Sequence, residues 1–138
     1  MNTSAFSVID VAKQEFVGAV LVDEPDRGAA GIWSIACDDK HIFITHSGTH
    51  EVSLIDHPAM LAKFESYKDK SRLDYDLNFL YGLRERVPLQ GNGPRNFIFS
   101  GDKLIIPTYF ADILNTVDIN TLEVTATDMN PGRTETPE

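Results

Sequence analysis

One stretch of this chain is repeated, and the repetition constrains the fold more than any other feature of the sequence. Residues 31–56 read GIWSIACDDKHIFITHSGTHEVSLID, and residues 93–118 align with them without a gap when 62 is added to each number. Few residues are identical, but the apolar positions coincide, as Ile44 and Ile106 illustrate. A shorter third copy, SAFSVID at residues 4–10, lies 46 residues before HEVSLID. Periods of this length are typical of proteins built from stacked repeats.

Turn residues divide each copy into short runs that are rich in β-branched and aromatic residues, which predicts antiparallel strands joined by hairpins. Asp10 and Asp118 follow such runs, and we interpret their carboxylates as acceptors for turn amides rather than as catalytic groups. Pro107 falls late in a strand, so we place it at the strand end or at a bulge. The predicted strands with bounds cover residues 5–9, 16–22, 32–37, 41–46, 51–55, 86–89, 113–117 and 123–128, and the repeat implies two more at the positions equivalent to 32–37 and 41–46.

A helical insertion over about residues 57–84 interrupts the second unit. Pro58 stands where the first turn of a helix would begin, a position that tolerates proline because the missing N–H has no helical partner there. We expect a second helix over residues 73–81. The insertion joins the third and fourth strands, so we expect it at the end of the sheet opposite the loop at residues 47–49. The apolar residues at helical spacing in the first helix are Met60, Leu61, Phe64 and Tyr67.

The strand count is two in the first unit and four in each of the next two, so we predict an all-β chain. We expect a partial β-propeller of about two and a half four-stranded antiparallel blades with a short helical insertion. The propeller part spans residues 1–129, with blade units at about 4–22, 31–90 and 93–129, and residues 130–138 form a linker or tail. A propeller closes at about four to eight blades. Both end sheets would therefore keep a bare face, which favours self-association or contact with further blades.

Composition narrows the functional classes. The formal net charge of −9 argues against a nucleic-acid surface, which needs clustered Lys and Arg. No apolar run approaches the roughly 20 residues of a membrane span, and we expect no export signal in the sequence given. Cys37 is the only cysteine, so an intrachain disulfide and a CxxCH haem site are excluded. Its apolar repeat position, matched by Phe99, predicts a small buried hydrophobe. We expect no cofactor in this chain.

The repeated stretch resembles the YVTN-type β-propeller repeat. Asp38-Asp39-Lys40 stands at the Asp-Gly-Lys turn of that repeat, and Phe43-Ile44-Thr45-His46 stands at its YVTN strand. VSLID at residues 52–56 and FSVID at residues 6–10 match the closing strand, whereas the second copy departs with Ile105-Ile106-Pro107-Thr108. The resemblance covers most of the chain outside the insertion. It implies the propeller fold and says little about function, because such propellers serve many roles.

A narrower likeness involves the insertion and three Gly-containing segments: GLRER at 82–86, GNGPR at 91–95 and NPGR at 130–133. These features are similar to bacterial YVTN propellers that continue into a di-haem cytochrome c peroxidase-like domain. In such relatives the haem-binding cysteines lie beyond the propeller. The likeness implies a periplasmic or cell-surface location and a haem domain in the native polypeptide as a partner. Any electron transfer would then belong to sequence outside this chain.

One face of the predicted propeller gathers loop residues suited to hold a ligand or a partner. If the strands alternate in direction, the loops between second and third strands share a face with the segments that lead into each first strand. Arg95 follows Gly-Pro at a strand entrance, and we prefer it as a polar contact to a ligand or to backbone carbonyls of the next blade. Trp33 is expected to pack between blades, with stacking on a flat ligand as the alternative. The candidate residues are Trp33, His46, His50, Arg95, Tyr109 and Asp112.

No residue set amounts to a catalytic signature. Ser47, His46 and Asp56 lack a Gly-x-Ser-x-Gly elbow, and adjacent residues on a strand point to opposite sides. Four histidines cluster in sequence, but they have no matching carboxylate, and His41 and His57 should lie on the other face. We therefore expect no metal site.

Two functional hypotheses follow. The first is a non-catalytic propeller segment that acts as a scaffold or protein-interaction module within a larger exported redox-associated protein. The alternative is the substrate- or ligand-binding face of an enzyme whose catalytic domain lies outside this chain. The alternative predicts that Arg95, His46, His50 and Tyr109 converge within hydrogen-bond reach.

Overall fold

The fold is given by a computed structural model that describes residues 3–132. The chain is all-β, with three antiparallel sheets. The first sheet contains β1 (Ala5–Asp10) and β2 (Glu15–Leu21). The second contains β3 (Ile32–Cys37), β4 (His41–His46), β5 (Glu51–Asp56) and β6 (Arg84–Pro88) in that spatial order. The third contains β7 (Ile98–Ser100), β8 (Lys103–Pro107), β9 (Ile113–Asp118) and β10 (Val124–Asp128), also in order.

The sequence repeat is also a repeat of backbone hydrogen bonds. In the second sheet Ile44 pairs with Ser53, and 62 residues later Ile106 pairs with Asn115. One further bond recurs beside the last strand pair of every sheet. It joins Val22 N to Ser4 O, Leu89 N to His50 O and Met129 N to Asp112 O, at 2.9, 3.0 and 2.7 Å. The two-stranded first sheet therefore corresponds to the third and fourth strands of the other two sheets.

The turn aspartates bind backbone amides, as predicted. Asp38 Oδ1 accepts from Lys40 N and His41 N at 2.8 and 2.6 Å. Asp118 Oδ1 does the same for the amides two and three residues later, and Asp10 Oδ1 accepts from Lys13 N. The neighbouring Lys103 ammonium, 2.8 Å from Asp118 Oδ2, and these amides lower the pKa of Asp118 to about 2. Each of these carboxylates stabilises a hairpin turn.

The two central strands of the second sheet are buried on both faces because the sheet lies between the other two. Ile42, Ile44 and Ile55 belong to a core shared with the first sheet and the helical insertion. Phe43 and Val52, on the opposite face, belong to a core shared with the third sheet. The two central strands of the second sheet therefore alternate between two cores instead of between core and solvent, and they read as continuous apolar runs.

The insertion lies at the end of the second sheet where β5 finishes, opposite the β4–β5 loop. It contains α1 (His57–Ser66) and α2 (Lys70–Leu73). The Asp56 carboxylate caps α1 by accepting from Ala59 N at 3.0 Å, and Pro58 occupies the first turn. Both helices pack against β2 at Gly18, where an added Cβ would come within 2.8–2.9 Å of Leu73 and Phe64 side-chain atoms. Glycine at this position lets the helices approach the strand.

The predicted second helix over residues 73–81 is wrong. Leu73 is the last residue of α2, and the chain then follows turns until β6. The reason is local competition for backbone amides, because Asp76 Oδ1 accepts from Asn78 N at 2.8 Å. Phe79 and Leu80 are still buried in the first core, so the spacing identified apolar anchors correctly and their backbone conformation incorrectly.

The expectation of a buried Cys37 is also wrong, because Cys37 is exposed and Ile35 is 49% exposed. Both lie on β3 and face the same side as Ile42 and Ile44, with which they pair. Within the described residues the first sheet consists of β1 and β2, which correspond to β5 and β6, so it has no equivalents of β3 and β4. The apolar pattern predicted which side of the sheet Cys37 and Ile35 face. The strands that the first sheet lacks explain why both residues are exposed.

Other expectations agree with the structure or lie outside it. Pro107 is the last residue of β8, as predicted. No helix in the described part of the chain is long and apolar enough to cross a membrane. Residues 133–138 of the predicted tail, including Arg133 of the NPGR segment, lie outside the described residues.

Candidate functional site

The candidate face is built from two glycine-initiated segments and the loops that they hold. Gly31 and Gly93 both have φ of 75°, a left-handed conformation that favours glycine. Ser47 N donates to Gly31 O at 2.7 Å, and Tyr109 N donates to Gly93 O at 2.9 Å. The loop between the two central strands of each sheet is therefore tied to the segment that leads into the first strand.

Trp33 is the extra residue of a β-bulge. Ile32 pairs with His46 and Ser34 with Thr45, which leaves Trp33 without a partner between them. A bulge redirects a side chain away from the regular alternation, and Trp33 is 53% exposed. Its equivalent 62 residues later is Arg95.

Arg95 and Trp33 are in contact although they belong to different repeats. The Arg95 Cζ atom lies 4.1 Å from the centroid of the Trp33 ring and 3.7 Å from that of Tyr109, with Phe110 at 5.6 Å. Trp33 and Tyr109 make no ring contact with each other among the described residues. The guanidinium therefore lies over both rings and makes a cation–π contact with each. We call this arrangement of Arg95, Trp33 and Tyr109 the cation–π sandwich.

The backbone beneath this sandwich is anchored to the second sheet by one hydroxyl. Thr45 Oγ1 donates to Arg95 O and accepts from Ser34 N at 3.2 Å. Thr45 is fully buried. The same hydroxyl therefore fixes the strand beside Trp33 and the residue that carries the guanidinium, which limits the freedom of both stacking partners.

The Arg95 guanidinium has no acidic partner among the described residues, whereas Arg27, Arg72, Arg84 and Arg86 each form an ion pair. Its Nε is buried and has no hydrogen-bond acceptor within residues 3–132. The terminal nitrogens Nη1 and Nη2 also donate to no described residue, and they keep contact with solvent. An unpaired buried N–H is uncommon and costs about 1–3 kcal/mol. The guanidinium is held in this position by stacking on the two rings and not by an ion pair.

His46 does not lie on the exposed face, because it is fully buried. Its Nδ1 lies 3.2 Å from Ala29 O and its Nε2 lies 2.7 Å from Ser53 Oγ. The carbonyl only accepts, so Nδ1 carries the proton and Nε2 accepts from the serine hydroxyl. Burial lowers the pKa of His46 to about 4, against smaller opposing effects of the Ala29 carbonyl and of Glu51.

The remaining candidates lie on the loop face but apart from the sandwich. His50 has φ of 58°, and its Nδ1 accepts from Gly93 N at 3.0 Å. Asp112 is exposed in the β8–β9 loop, and its backbone oxygen accepts from Met129 N. Both residues hold loop backbone in the positions that the repeat requires.

The four side chains of the enzyme hypothesis do not converge. Arg95 and Tyr109 are in contact, but no hydrogen bond joins any two of Arg95, His46, His50 and Tyr109 among residues 3–132. Within the same range, no group of three or more His, Cys, Asp or Glu side chains is arranged to hold a metal ion. Two surface depressions, of about 610 and 550 Å³, lie beside the insertion and contain none of the candidate residues.

A buried ionic cluster was missed from the sequence. Glu51 and Arg86 have side chains that are 3% and 4% exposed, and Arg86 Nε donates to Glu51 Oε1 at 3.0 Å. Arg27 adds a contact of 3.3 Å to Glu51 Oε2, and Arg84 Nη2 lies 2.8 Å from Glu24 Oε1. Arg27 and Glu24 belong to the segment that follows β2, so the cluster links the first sheet to the second.

Burial by itself would raise the pKa of Glu51, but hydrogen bonds from Arg86 and Thr49 outweigh it and hold that pKa below its usual value. The signal for this cluster was the alternation Arg-Glu-Arg at residues 84–86, which places Arg84 and Arg86 on one face of a strand. Identifying the partner also required the pairing of β5 with β6.

Comparisons with known proteins concern the fold. The chain matches no protein-family model and no curated protein sequence. Among solved structures it is similar to a chain of Kuenenia stuttgartiensis hydrazine synthase, with a TM-score of 0.68 and 22% sequence identity. The similarity covers 91% of this chain and 35% of that one, so this chain spans about a third of its length. The likeness shows the fold. It assigns no residue roles, and the YVTN resemblance stays a prediction.

Proposed function

We propose that the chain is a partial β-propeller and acts as a non-catalytic scaffold or interaction segment within a larger protein. The observation that carries this proposal is that both end sheets present uncovered faces of the kind that the second sheet buries. An exported, redox-associated parent protein is the version that the YVTN resemblance favours.

The outer face of the third sheet supports the proposal. Leu104 and Ile106 stand 62 residues after Ile42 and Ile44 and, like them, pack against the preceding sheet. The face on the other side carries Ile105, the equivalent of buried Phe43. Ile98, which pairs with Ile105, is 63% exposed.

The outer face of the first sheet is equivalent to the face that the second sheet packs against the first. Phe6 and Val8 pack toward the second sheet, so Ile9 and its partner Phe16 point away from it. Ile9 stands 46 residues before Ile55, which is buried, yet Ile9 itself is 61% exposed. Each sheet thus offers one kind of face to the sheet before it and another kind to the sheet after it. Such head-to-tail contacts close into rings or continue as stacks.

The experiment that tests the proposal is a measurement of solution mass by light scattering over a range of protein concentrations. We expect the mass to rise above 15.4 kDa with concentration, because the third sheet of one copy can cover the first sheet of another. Ile9→Lys and Ile98→Lys, each on a different end face, should both give monomers.

A mixture of these two variants makes the test specific for a head-to-tail contact. One variant keeps an intact third-sheet face and the other keeps an intact first-sheet face, so the mixture should form dimers and nothing larger. Val11→Lys, in the exposed β1–β2 turn, is the control and should behave like the unmodified chain. A monomer at every concentration, or a mixture that stays monomeric, would refute the proposal.

A further inference from the structure

We propose that the Arg95 sandwich is a binding site for a carboxylate group. The site does not depend on the scaffold proposal, because the side chains of Arg95, Trp33 and Tyr109 lie on the loop face and not on the outer faces of the end sheets. It would persist whether or not those faces are covered.

The guanidinium of Arg95 is held by aromatic rings and has terminal N–H donors that no described residue uses. The rings of Trp33 and Tyr109 hold the guanidinium, with their centroids 4.1 and 3.7 Å from Cζ. The edge that meets solvent carries Nη1 and Nη2, which donate to no described residue. Two parallel N–H donors in one plane match the two oxygens of a carboxylate, which binds arginine in a bidentate manner.

The Arg95 side chain is preorganised for binding. A flexible arginine side chain loses rotamer freedom when it is fixed, and ordering a side chain on binding reduces affinity. Here the two rings have already ordered the guanidinium, and the Thr45 hydroxyl has fixed the Arg95 backbone. Trp33 and Tyr109 are 53% and 65% exposed, so the approach to the edge stays open.

The charge around Arg95 favours a carboxylate over a phosphate. The chain carries a formal net charge of −9, and its other described arginines are all paired with acids, but Arg95 is not. The negative surroundings repel a phosphate dianion more strongly than a carboxylate monoanion. A carboxylate is therefore the ligand class that the site favours. Its source is either a small carboxylic acid or an acidic side chain of a peptide.

Trp33 is the only tryptophan in the chain, so its fluorescence reports directly on the site. We would titrate the protein with sodium acetate against sodium chloride at constant ionic strength, and with inorganic phosphate. A blocked tripeptide Gly-Glu-Gly and its Gly-Gln-Gly counterpart form the peptide arm. We expect a saturable change with acetate and with the Glu peptide, and none with chloride or the Gln peptide.

Matched variants distinguish bidentate binding by the planar guanidinium from attraction by its positive charge alone. Arg95→Gln should abolish the saturable change, and Arg95→Lys should weaken it at least about fivefold, because an ammonium lacks the planar pair of donors. Arg72→Gln, at an exposed arginine on α2, should leave it unchanged. The chemical shift of the Arg95 Nε–H proton in the unmodified chain gives a second measurement that does not depend on a variant folding.

Each outcome bears on the proposal. A tighter response to the Glu peptide than to acetate would assign the carboxylate to a polypeptide partner, and an equal response would assign it to small acids. Stronger binding of phosphate than of acetate would overturn the choice of ligand class. An unchanged response in Arg95→Gln, or no movement of the Arg95 Nε–H shift, would overturn the site.

Discussion

Protonation of His46 should make the stability of this chain depend on pH between about 7 and 4. The ring is fully buried, Nδ1 donates to Ala29 O, and Nε2 accepts from the Ser53 hydroxyl. A second ring proton would turn Nε2 into a donor that faces the serine hydroxyl, and it would place a charge where Arg84 and Arg86 already lower the pKa of the ring.

The sign and the size follow from the two pKa values. The pKa of His46 is about 4 in the folded chain and about 6.5 when the ring is exposed. Between these values the unfolded chain binds the extra proton, so the free energy of unfolding falls as the pH falls. The full difference corresponds to about 3 kcal/mol, of which about 2 kcal/mol should be lost between pH 7 and pH 5.

The assay is urea denaturation followed by circular dichroism at a series of pH values between 5 and 7, where Asp and Glu hardly titrate. Ile98→Lys serves as the background, to keep the chain monomeric. The comparison is with His46→Gln in the same background, which has no group that titrates at this position. We expect the His46→Gln variant to be less stable at pH 7 and to lose less stability on acidification. Equal pH slopes for the two proteins would refute the reasoning.

Two further predictions concern the backbone and the ionic cluster. Gly31→Ala and Gly82→Ala place a side chain at nearly the same positive φ, but only Gly31 has a neighbour, with Gly48 N 2.6 Å from the added Cβ. In chemical denaturation Gly31→Ala should lose about 1–3 kcal/mol more stability than Gly82→Ala, because only its added Cβ is overpacked, and equal losses would contradict the close approach. Glu51→Gln removes one of the two carboxylates that pair with Arg86 and leaves Glu24 Oε1 at 3.5 Å, so it should cost about 1–3 kcal/mol; no measurable loss would mean that Glu24 or water satisfies the guanidinium.

The parts of the fold that sequence predicts well are those with local causes. Strands form where β-branched residues are bounded by turns, and three of the hairpin turns carry an aspartate that binds the amides following it, as Asp38 does. Pro107 ends a strand because it offers no N–H to a ladder. These effects act within a few residues and need no knowledge of the neighbouring sheet.

Burial on β3 was harder to predict because it depends on which strands the neighbouring sheet contains. Cys37 and Ile35 point toward the first sheet, but they are exposed because that sheet lacks the strands that would cover them. Phe99, at the position equivalent to Cys37, contacts Phe43 with ring centroids 4.9 Å apart. The same apolar pattern thus gives exposure in one unit and packing in the next.

The candidate site was predicted in part. Arg95, Trp33 and Tyr109 were placed on one face from strand direction alone, but their stacking requires the bulge at Trp33 and the spacing of two sheets. The location of His46 could have been predicted, because it alternates with Ile42 and Ile44 on β4 and therefore faces the core with them. Its place beside a loop suggested exposure, and the strand alternation decides against it.

Equivalent positions of the two full units share their backbone hydrogen bonds and differ in the side chains that form polar sites. The backbone hydrogen bonds are the same in both full units, at Ser47–Gly31 and at Tyr109–Gly93. The side chains differ at positions that form polar sites, and the cation–π sandwich arises where unlike residues of neighbouring units meet. A stack of identical repeats would place like beside like and could not bring an arginine onto the Trp33 ring. Three such divergent pairs are Trp33 and Arg95, Ser47 and Tyr109, and Glu51 and Ile113.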